Sequence, residues 1–232
     1  MSGFDVFRIA QGLRLAPEQF VLAIAVDEPT AYSFQVAGTQ QTYELALDKV
    51  NPRLKEDQPC VFWLPVGSRA GRCGIYPYRP FACRVYPAVP DEHDVMVRRD
   101  DVICPAGAWL DGTLTAPIWK REYRRMQVES DIYQLVVMRW NYHFDRTPDP
   151  GQLGLPTYLA YVVALYGRLY PVLTSLNEAE WDALSGPWTD YLADGESPLL
   201  GDVPPPLTPW NDFFWSLYNT TAAAFEDGFG FG

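Results

Sequence analysis

The 232-residue chain has few of the side chains on which hydrolytic and nucleotide-dependent enzymes rely. It contains 2 histidines, His93 and His143, at unconnected positions. It has no phosphate-binding glycine loop, no dinucleotide-binding glycine motif and no nucleophile elbow. A catalytic triad cannot be assembled from these residues, so the sequence assigns no catalytic residue and leaves open whether the protein is an enzyme.

Positive charge is scarce as well. The chain has 18 lysines and arginines against 29 aspartates and glutamates, a formal net charge of −11. A surface that follows nucleic-acid phosphates needs an excess of basic side chains, so we expect no general nucleic-acid binding. Residues 52–104, with 8 basic and 7 acidic side chains, form the one segment that is not acidic.

We expect neither an export signal nor an uninterrupted membrane-spanning run. The start, MSGFDVFRIAQGL, carries an acid where a signal peptide would carry basic residues before an apolar run. Residues 153–176 are apolar, but Pro156, Arg168 and Pro171 interrupt them, so we expect a buried or interfacial helix rather than a spanning one. The cytoplasm is therefore the expected location, where disulfides are rare and clustered cysteines more often bind metal.

Hydrophobic periodicity predicts an α+β fold that is predominantly helical. We divide the chain into a cysteine-cluster domain, 1–105, and a helical C-terminal region, 106–232. The first is predicted to contain an N-terminal helical pair, at 4–11 and at 18–26 after Pro17, and an irregular β-containing cysteine module at 52–105. Extended segments are predicted at 42–48, 60–65 and 95–98. Helices are predicted at 118–144, 157–170 and 209–225, and another after a capping box formed by Asn177 and Glu180.

All four cysteines fall within 45 consecutive residues: Cys60, Cys73, Cys83 and Cys104. The spacing contains no C-x2-C knuckle, so spacing alone is a weak indication of zinc. A disulfide, a metal site and plain packing of buried thiols are all compatible with it.

The neighbours of the cysteines favour metal binding. Arg72, Arg79 and Arg84 lie within four residues of a cysteine, and a nearby cation favours the thiolate form that binds metal. Three prolines restrict the backbone and could hold a site in shape: Pro77, Pro80 and Pro87. We therefore predict that the four cysteines converge on one metal site. Arg79 and Arg84 are predicted to support this module, with Arg79 near the 60–65 strand.

The same segment resembles the CxxCxxCC (YkgJ-like) family of zinc- or iron-chelating cysteine-cluster proteins over about residues 4–105. The central pattern is carried by Cys60, Phe62, Leu64, Cys73, Ile75, Tyr76, Arg79, Pro80, Cys83, Arg84, Tyr86, Pro87 and Cys104, and the N-terminal pattern by Asp5, Arg8, Ile9, Ala10, Leu13, Glu18 and Phe20. The resemblance implies a metal-chelating protein. One departure is clear: the family is named for an N-terminal cysteine cluster, and no cysteine precedes Cys60 here. Four cysteines therefore need not complete the site.

Four thiolates could hold either a zinc ion or an iron–sulfur cluster. The long, irregular spacings and the nearby arginines favour iron or an iron–sulfur cluster slightly. We do not expect His93, in the acidic loop DEHD, or His143, near the end of a helix, to be a ligand.

Two other functions remain open from the sequence. Flagellin lysine methylases carry a similar cysteine domain, which keeps a metal-dependent methyltransferase-like enzyme possible. A protein-interaction module with a structural zinc is the other alternative, because the acidic C-terminal half could present aromatic side chains to a partner. The tryptophans concerned are Trp181, Trp188, Trp210 and Trp215.

Overall fold

The computed structural model describes residues 1–49, 59–66, 70–99, 114, 116–184, 216 and 219–221. Within these residues, long helices are combined with small antiparallel sheets. The prediction of a mostly helical α+β fold is confirmed. Cys104, Trp188, Trp210, Trp215 and most of the helix predicted at 209–225 lie outside the described residues.

Helix α1, Gly3–Leu13, confirms the first predicted helix. Its start is fixed by a capping box between Ser2 and Asp5, and its end by Arg14 in the left-handed conformation. The apolar residues of α1 are spaced to form one face, and that face is buried. Asp5 is an exception, because it is a charged residue that is only 2% exposed.

The second predicted N-terminal helix, at 18–26, is wrong. Pro17–Gln19 forms only one 3-10 turn, and Val21–Val26 is a strand, β1. Strand β1 pairs along its whole length with β3, Thr42–Leu47, and β3 also pairs with β2, Phe34–Gln35. The sequence VLAIAV contains three β-branched residues, which favour strands, and pairing with β3 outweighs the helix-start signal of Pro17.

The cysteine module consists of short elements. Strands β4, Trp63–Val66, and β5, Ala70–Cys73, form a hairpin in which Trp63 pairs with Cys73. Helix α2, Phe81–Val85, follows, and then a second hairpin of β6, Ala88–Pro90, and β7, Met96–Arg98. The extended segments predicted near 60–65 and 95–98 are therefore confirmed, with shifted bounds.

Three helices account for the described C-terminal region: α3, Pro117–Arg146; α4, Leu155–Ser175; and α5, Glu178–Leu184. The predicted capping box before α5 is present, because the Asn177 N–H donates to Glu180 Oε2 at 2.7 Å and the Glu180 N–H donates to Asn177 Oδ1 at 3.1 Å. None of the helices described is both long enough and apolar enough to cross a bilayer.

One hydrophobic core joins the N-terminal and C-terminal regions. Tyr158 of α4 stacks on Phe34 of β2 with 3.8 Å between ring centroids. Trp140 of α3 donates its indole N–H to the Gln35 carbonyl at 2.7 Å. Helix α1 packs on α4, and α2 packs on α3. The C-terminal helices are thus the support on which the cysteine module rests.

Candidate metal centre

Three of the cysteines lie at separate points of the described part of the module. Cys60 precedes β4 and forms an isolated bridge with Lys49. Cys73 ends β5, and the pairing continues past the hairpin because the Gly74 N–H donates to the Phe62 carbonyl at 2.8 Å. Cys83 lies in the middle of α2. The hairpin therefore returns the chain after Cys73 towards Cys60.

The three thiols interact electrostatically. The pKa of Cys83 is raised to about 11, first by burial of the thiol and then by Asp5, Cys60 and Cys73, while Arg79 acts in the opposite direction. All three cysteines are free thiols. The fold thus brings Cys60 and Cys73 close enough to Cys83 to influence its ionisation, and leaves none of them in a disulfide.

Burial changes the pKa of Cys83 more than the nearby Arg79 does. The sequence suggested that cations would favour the thiolate, and Arg79 does lower the pKa of Cys83, but its effect is the smallest of the five causes. Without a bound cation, Cys83 is therefore a neutral thiol at pH 7. A metal ion would have to displace its proton, as is usual for thiolate ligands.

The donor chemistry fits a soft metal, although the described geometry is not that of an assembled site. Among the residues that the structure describes, no three His, Cys, Asp or Glu side chains are grouped so that they could hold one metal ion. Three thiols are nevertheless the ligands that zinc and iron–sulfur clusters prefer. The fourth predicted ligand, Cys104, lies outside the described residues.

The two histidines have other surroundings. His93 is 77% exposed in a loop, and its Nε2 lies 3.5 Å from Glu92. His143 is near the C-terminal end of α3, where burial and the neighbouring Arg139 and Arg146 lower its pKa to about 4.

Two of the predicted supporting arginines make specific contacts. The Arg79 guanidinium lies over the Tyr76 ring, 3.8 Å from its centroid. Arg84 forms an ion pair with Glu122 of α3 at 2.6 Å and lies over the Phe81 ring at 4.9 Å. Arg84 therefore joins α2 to α3. The expected contact of Arg79 with the 60–65 strand remains a prediction.

Helix α1 holds the cysteine module through two polar side chains, Asp5 and Arg8. Asp5 Oδ1 accepts a hydrogen bond from the Phe81 N–H, at the start of α2, at 3.0 Å. Arg8 donates to the backbone carbonyls of Tyr78 and Arg79 and lies 3.5 Å from Asp5. The N–H groups in the first turn of a helix have no partner within the helix. Asp5, on α1, supplies an acceptor for the first of these N–H groups in α2. Hydrophobic periodicity in the sequence could not predict this contact between two helices.

A second buried carboxylate, Glu129 of α3, accepts hydrogen bonds from residues at the start of α1. Glu129 Oε1 accepts hydrogen bonds from the Phe4 N–H at 3.1 Å and the Ser2 hydroxyl at 3.4 Å. Burial raises the pKa of Asp5. Burial also raises the pKa of Glu129 well above its usual range, and the negative charge of Asp5 raises the pKa of Glu129 further. Both carboxylates line a cavity of about 260 Å³. The sequence analysis missed Glu129, because nothing local marks it as buried.

No family model, curated protein or solved structure matches this chain. The resemblance to the CxxCxxCC (YkgJ-like) family therefore stays a prediction that depends on the residues quoted above.

Proposed function

We propose that this protein binds a metal centre, either a zinc ion or an iron–sulfur cluster, through Cys60, Cys73, Cys83 and Cys104. The observation that supports the proposal is that Cys60, Cys73 and Cys83 are free thiols and that Cys60 and Cys73 act electrostatically on Cys83. Plain packing does not account well for this arrangement, because Cys60 and Cys73 are only partly buried. Cys83 as a whole residue keeps exposed surface, although the protein around its sulfur desolvates the thiol enough to raise its pKa.

The module has features that suit a metal-stabilised unit. Its strands are three or four residues long, and α2 has five residues. Elements this short gain little stability from their own hydrogen bonds and packing. A metal that links Cys60, Cys73 and Cys83 would join the hairpin to α2, whose first N–H is already fixed by Asp5.

The iron–sulfur cluster is the preferred occupant, and zinc is the alternative. Four thiolates on one divalent ion leave surplus negative charge, and Arg79 is close enough to act on the Cys83 sulfur. When bound, a zinc ion would crosslink the module, and a cluster would add electron transfer. Loading either one requires Cys83 to lose its proton, so uptake should be faster at higher pH.

The test is metal and sulfide analysis of protein purified without oxygen, together with its absorption spectrum. We expect matched iron and sulfide and a brown colour, and single Cys→Ser variants at positions 60, 73, 83 and 104 should each lose most of the metal. His93→Ser is the matched control and should keep the full content, because His93 is exposed in a loop. Colourless protein with one zinc per chain would change the metal but keep the site. Folded protein without metal would overturn the proposal.

A further inference from the structure

A second site is indicated by a cleft lined with arginines, on the side of α2 that faces α3, α4 and α5. The cleft has a volume of about 240 Å³. Three of its lining residues are arginines from three helices: Arg8, Arg84 and Arg125. The rest are apolar, aromatic or hydroxyl side chains, and the residues described as lining it include no carboxylate. In a chain with a net charge of −11, this is a local reversal of sign.

The positive charge extends into an adjoining cavity of about 330 Å³ that shares Arg125 and Trp181 with the cleft. This cavity adds the basic side chains of Lys120, Arg121 and Arg124. Several of these cations already have an acidic partner: Lys120 pairs with Asp94, and Arg121 pairs with Glu178, which also lines this cavity. Arg84 and Arg125 share one carboxylate, Glu122, at 2.6 Å and 3.7 Å. A single carboxylate between two guanidinium groups leaves positive charge available to a ligand.

Unsatisfied donors point to an anionic ligand. The Nε atoms of Arg8, Arg121 and Arg125 are buried and have no hydrogen-bond partner. Buried N–H groups in folded proteins nearly always have an acceptor, and one on a charged group is costly to leave unpaired. These three donors belong to residues that line the two connected cavities, and each guanidinium group also has a carboxylate nearby, Asp5, Glu178 or Glu122. An anionic ligand would therefore add acceptors to groups that are only partly satisfied.

Aromatic side chains form the rest of the wall. Phe81 has Arg8 at 5.3 Å and Arg84 at 4.9 Å from its ring centroid, and Trp181 has Arg125 at 5.5 Å. Tyr170 stacks on Phe4 with 5.4 Å between ring centroids. Phe81 and Trp181 are at most 9% exposed, and Phe4 also stacks on Phe81 at 5.7 Å, so these rings form an apolar wall rather than a free stacking face. An aromatic ring can pack against this wall while the guanidinium groups bind its anionic substituent.

We propose that this cleft binds a small phosphate ester with one ring, its phosphate held by Arg8, Arg84 and Arg125 and its ring held against Phe81 and Trp181. Phosphate is preferred to a carboxylate because it offers more acceptor oxygens and more charge to three guanidinium groups. The volume, below the range of drug-sized pockets, limits the ligand to about one ring. The site does not depend on metal binding by the cysteines.

The test is isothermal titration calorimetry of the full chain with three probes: phenyl phosphate, inorganic phosphate and phenol. We expect phenyl phosphate to bind more tightly than inorganic phosphate, and phenol to show no binding. Arg125→Gln should weaken phenyl phosphate binding about tenfold or more, since it removes a charged hydrogen-bond donor. Arg125→Lys keeps the positive charge but not the planar set of guanidinium donors. Its affinity for phenyl phosphate should therefore lie between those of the native chain and Arg125→Gln.

Arg146→Gln is the matched control. It lies on the same helix, is exposed, and is about 30 Å from Arg125 at 1.5 Å per residue, so it should leave binding unchanged. Trp181→Leu should reduce the advantage of phenyl phosphate over inorganic phosphate while the inorganic ion still binds. Arg125→Gln should keep the metal content of the native chain, because Arg125 lies on α3 outside the cysteine module, which separates this site from the metal centre. No binding of phenyl phosphate at millimolar concentration, or equal losses in Arg125→Gln and Arg146→Gln, would overturn the proposal.

Discussion

The cysteine module and the helical core are stabilised in different ways. In the core, the side chains of Trp140, Tyr158 and Tyr161 are at most 1% exposed and pack ring against ring. In the module, large apolar side chains remain partly in water, with Trp63 42%, Val66 53% and Tyr76 65% exposed. A segment that buries so little apolar surface needs support from elsewhere. That support comes from Asp5, Arg8 and Arg84, and from the metal that we propose.

The largest expected effect comes from substituting two tryptophans, one in each region. Trp140→Ala should lower the free energy of unfolding by about 3–5 kcal/mol, because the indole is fully buried and donates to the Gln35 carbonyl. Trp63→Ala should cost about 1 kcal/mol or less, because much of its surface is already in water. Urea denaturation of both variants gives the comparison. Similar losses would show that the two regions share the same kind of core.

A smaller effect is expected at the contact between the regions. Asp5→Ala removes the acceptor for the Phe81 N–H and should lower the free energy of unfolding by about 1–3 kcal/mol, because a buried donor is left without a partner. Metal content should fall in the same variant, since α2 loses its anchor. Asp5→Asn keeps an acceptor oxygen at this position and serves as the control. If Asp5→Ala loaded metal as the native chain does, the anchoring role would be wrong.

The smallest effect concerns pH. The pKa of Glu129 in the folded protein lies well above its usual value of 4.5. Its contribution to stability is therefore complete below pH 4.5 and is lost as pH rises through the folded pKa. Glu129→Gln keeps an acceptor for the Phe4 N–H without this titration, so its unfolding free energy should fall less than that of the native chain between pH 5 and pH 8.

Thermal unfolding of both proteins across this pH range measures the difference. Glu18→Gln is a suitable control, because Glu18 lies in the exposed turn before β1 and should follow the native profile. Parallel profiles for the native chain and Glu129→Gln would contradict the raised pKa.

The sequence predicted well the features that depend on local signals. Helices α1, α3 and α4 follow the apolar periodicity, and Asn177 with Glu180 marks the start of α5. It failed at Val21–Val26, because the partner that makes this segment a strand is Thr42–Leu47, some twenty residues away. A proline start signal is local and could not anticipate that pairing.

The candidate sites were predicted unevenly for the same reason. The cysteines are visible because they cluster along the chain, whereas the arginine-lined cleft gathers Arg8, Arg84 and Arg125 from three helices. One signal was available: the run KREYRR, at 120–125, places four basic residues at the start of α3. The sequence analysis did not single out this basic run, because the C-terminal half as a whole carries more acidic than basic residues. Glu129 and Asp5 had no such signal, since their burial depends on how α1 packs on α3.

The most direct test of the central claim, that a metal stabilises the cysteine module, is X-ray absorption at the metal edge of the purified protein. The account predicts a first shell of about four sulfur atoms near 2.3 Å, with no nitrogen from His93 or His143. The same shell should be lost in Cys83→Ser. A first shell of oxygen and nitrogen atoms, or protein that folds and holds no metal, would contradict the claim.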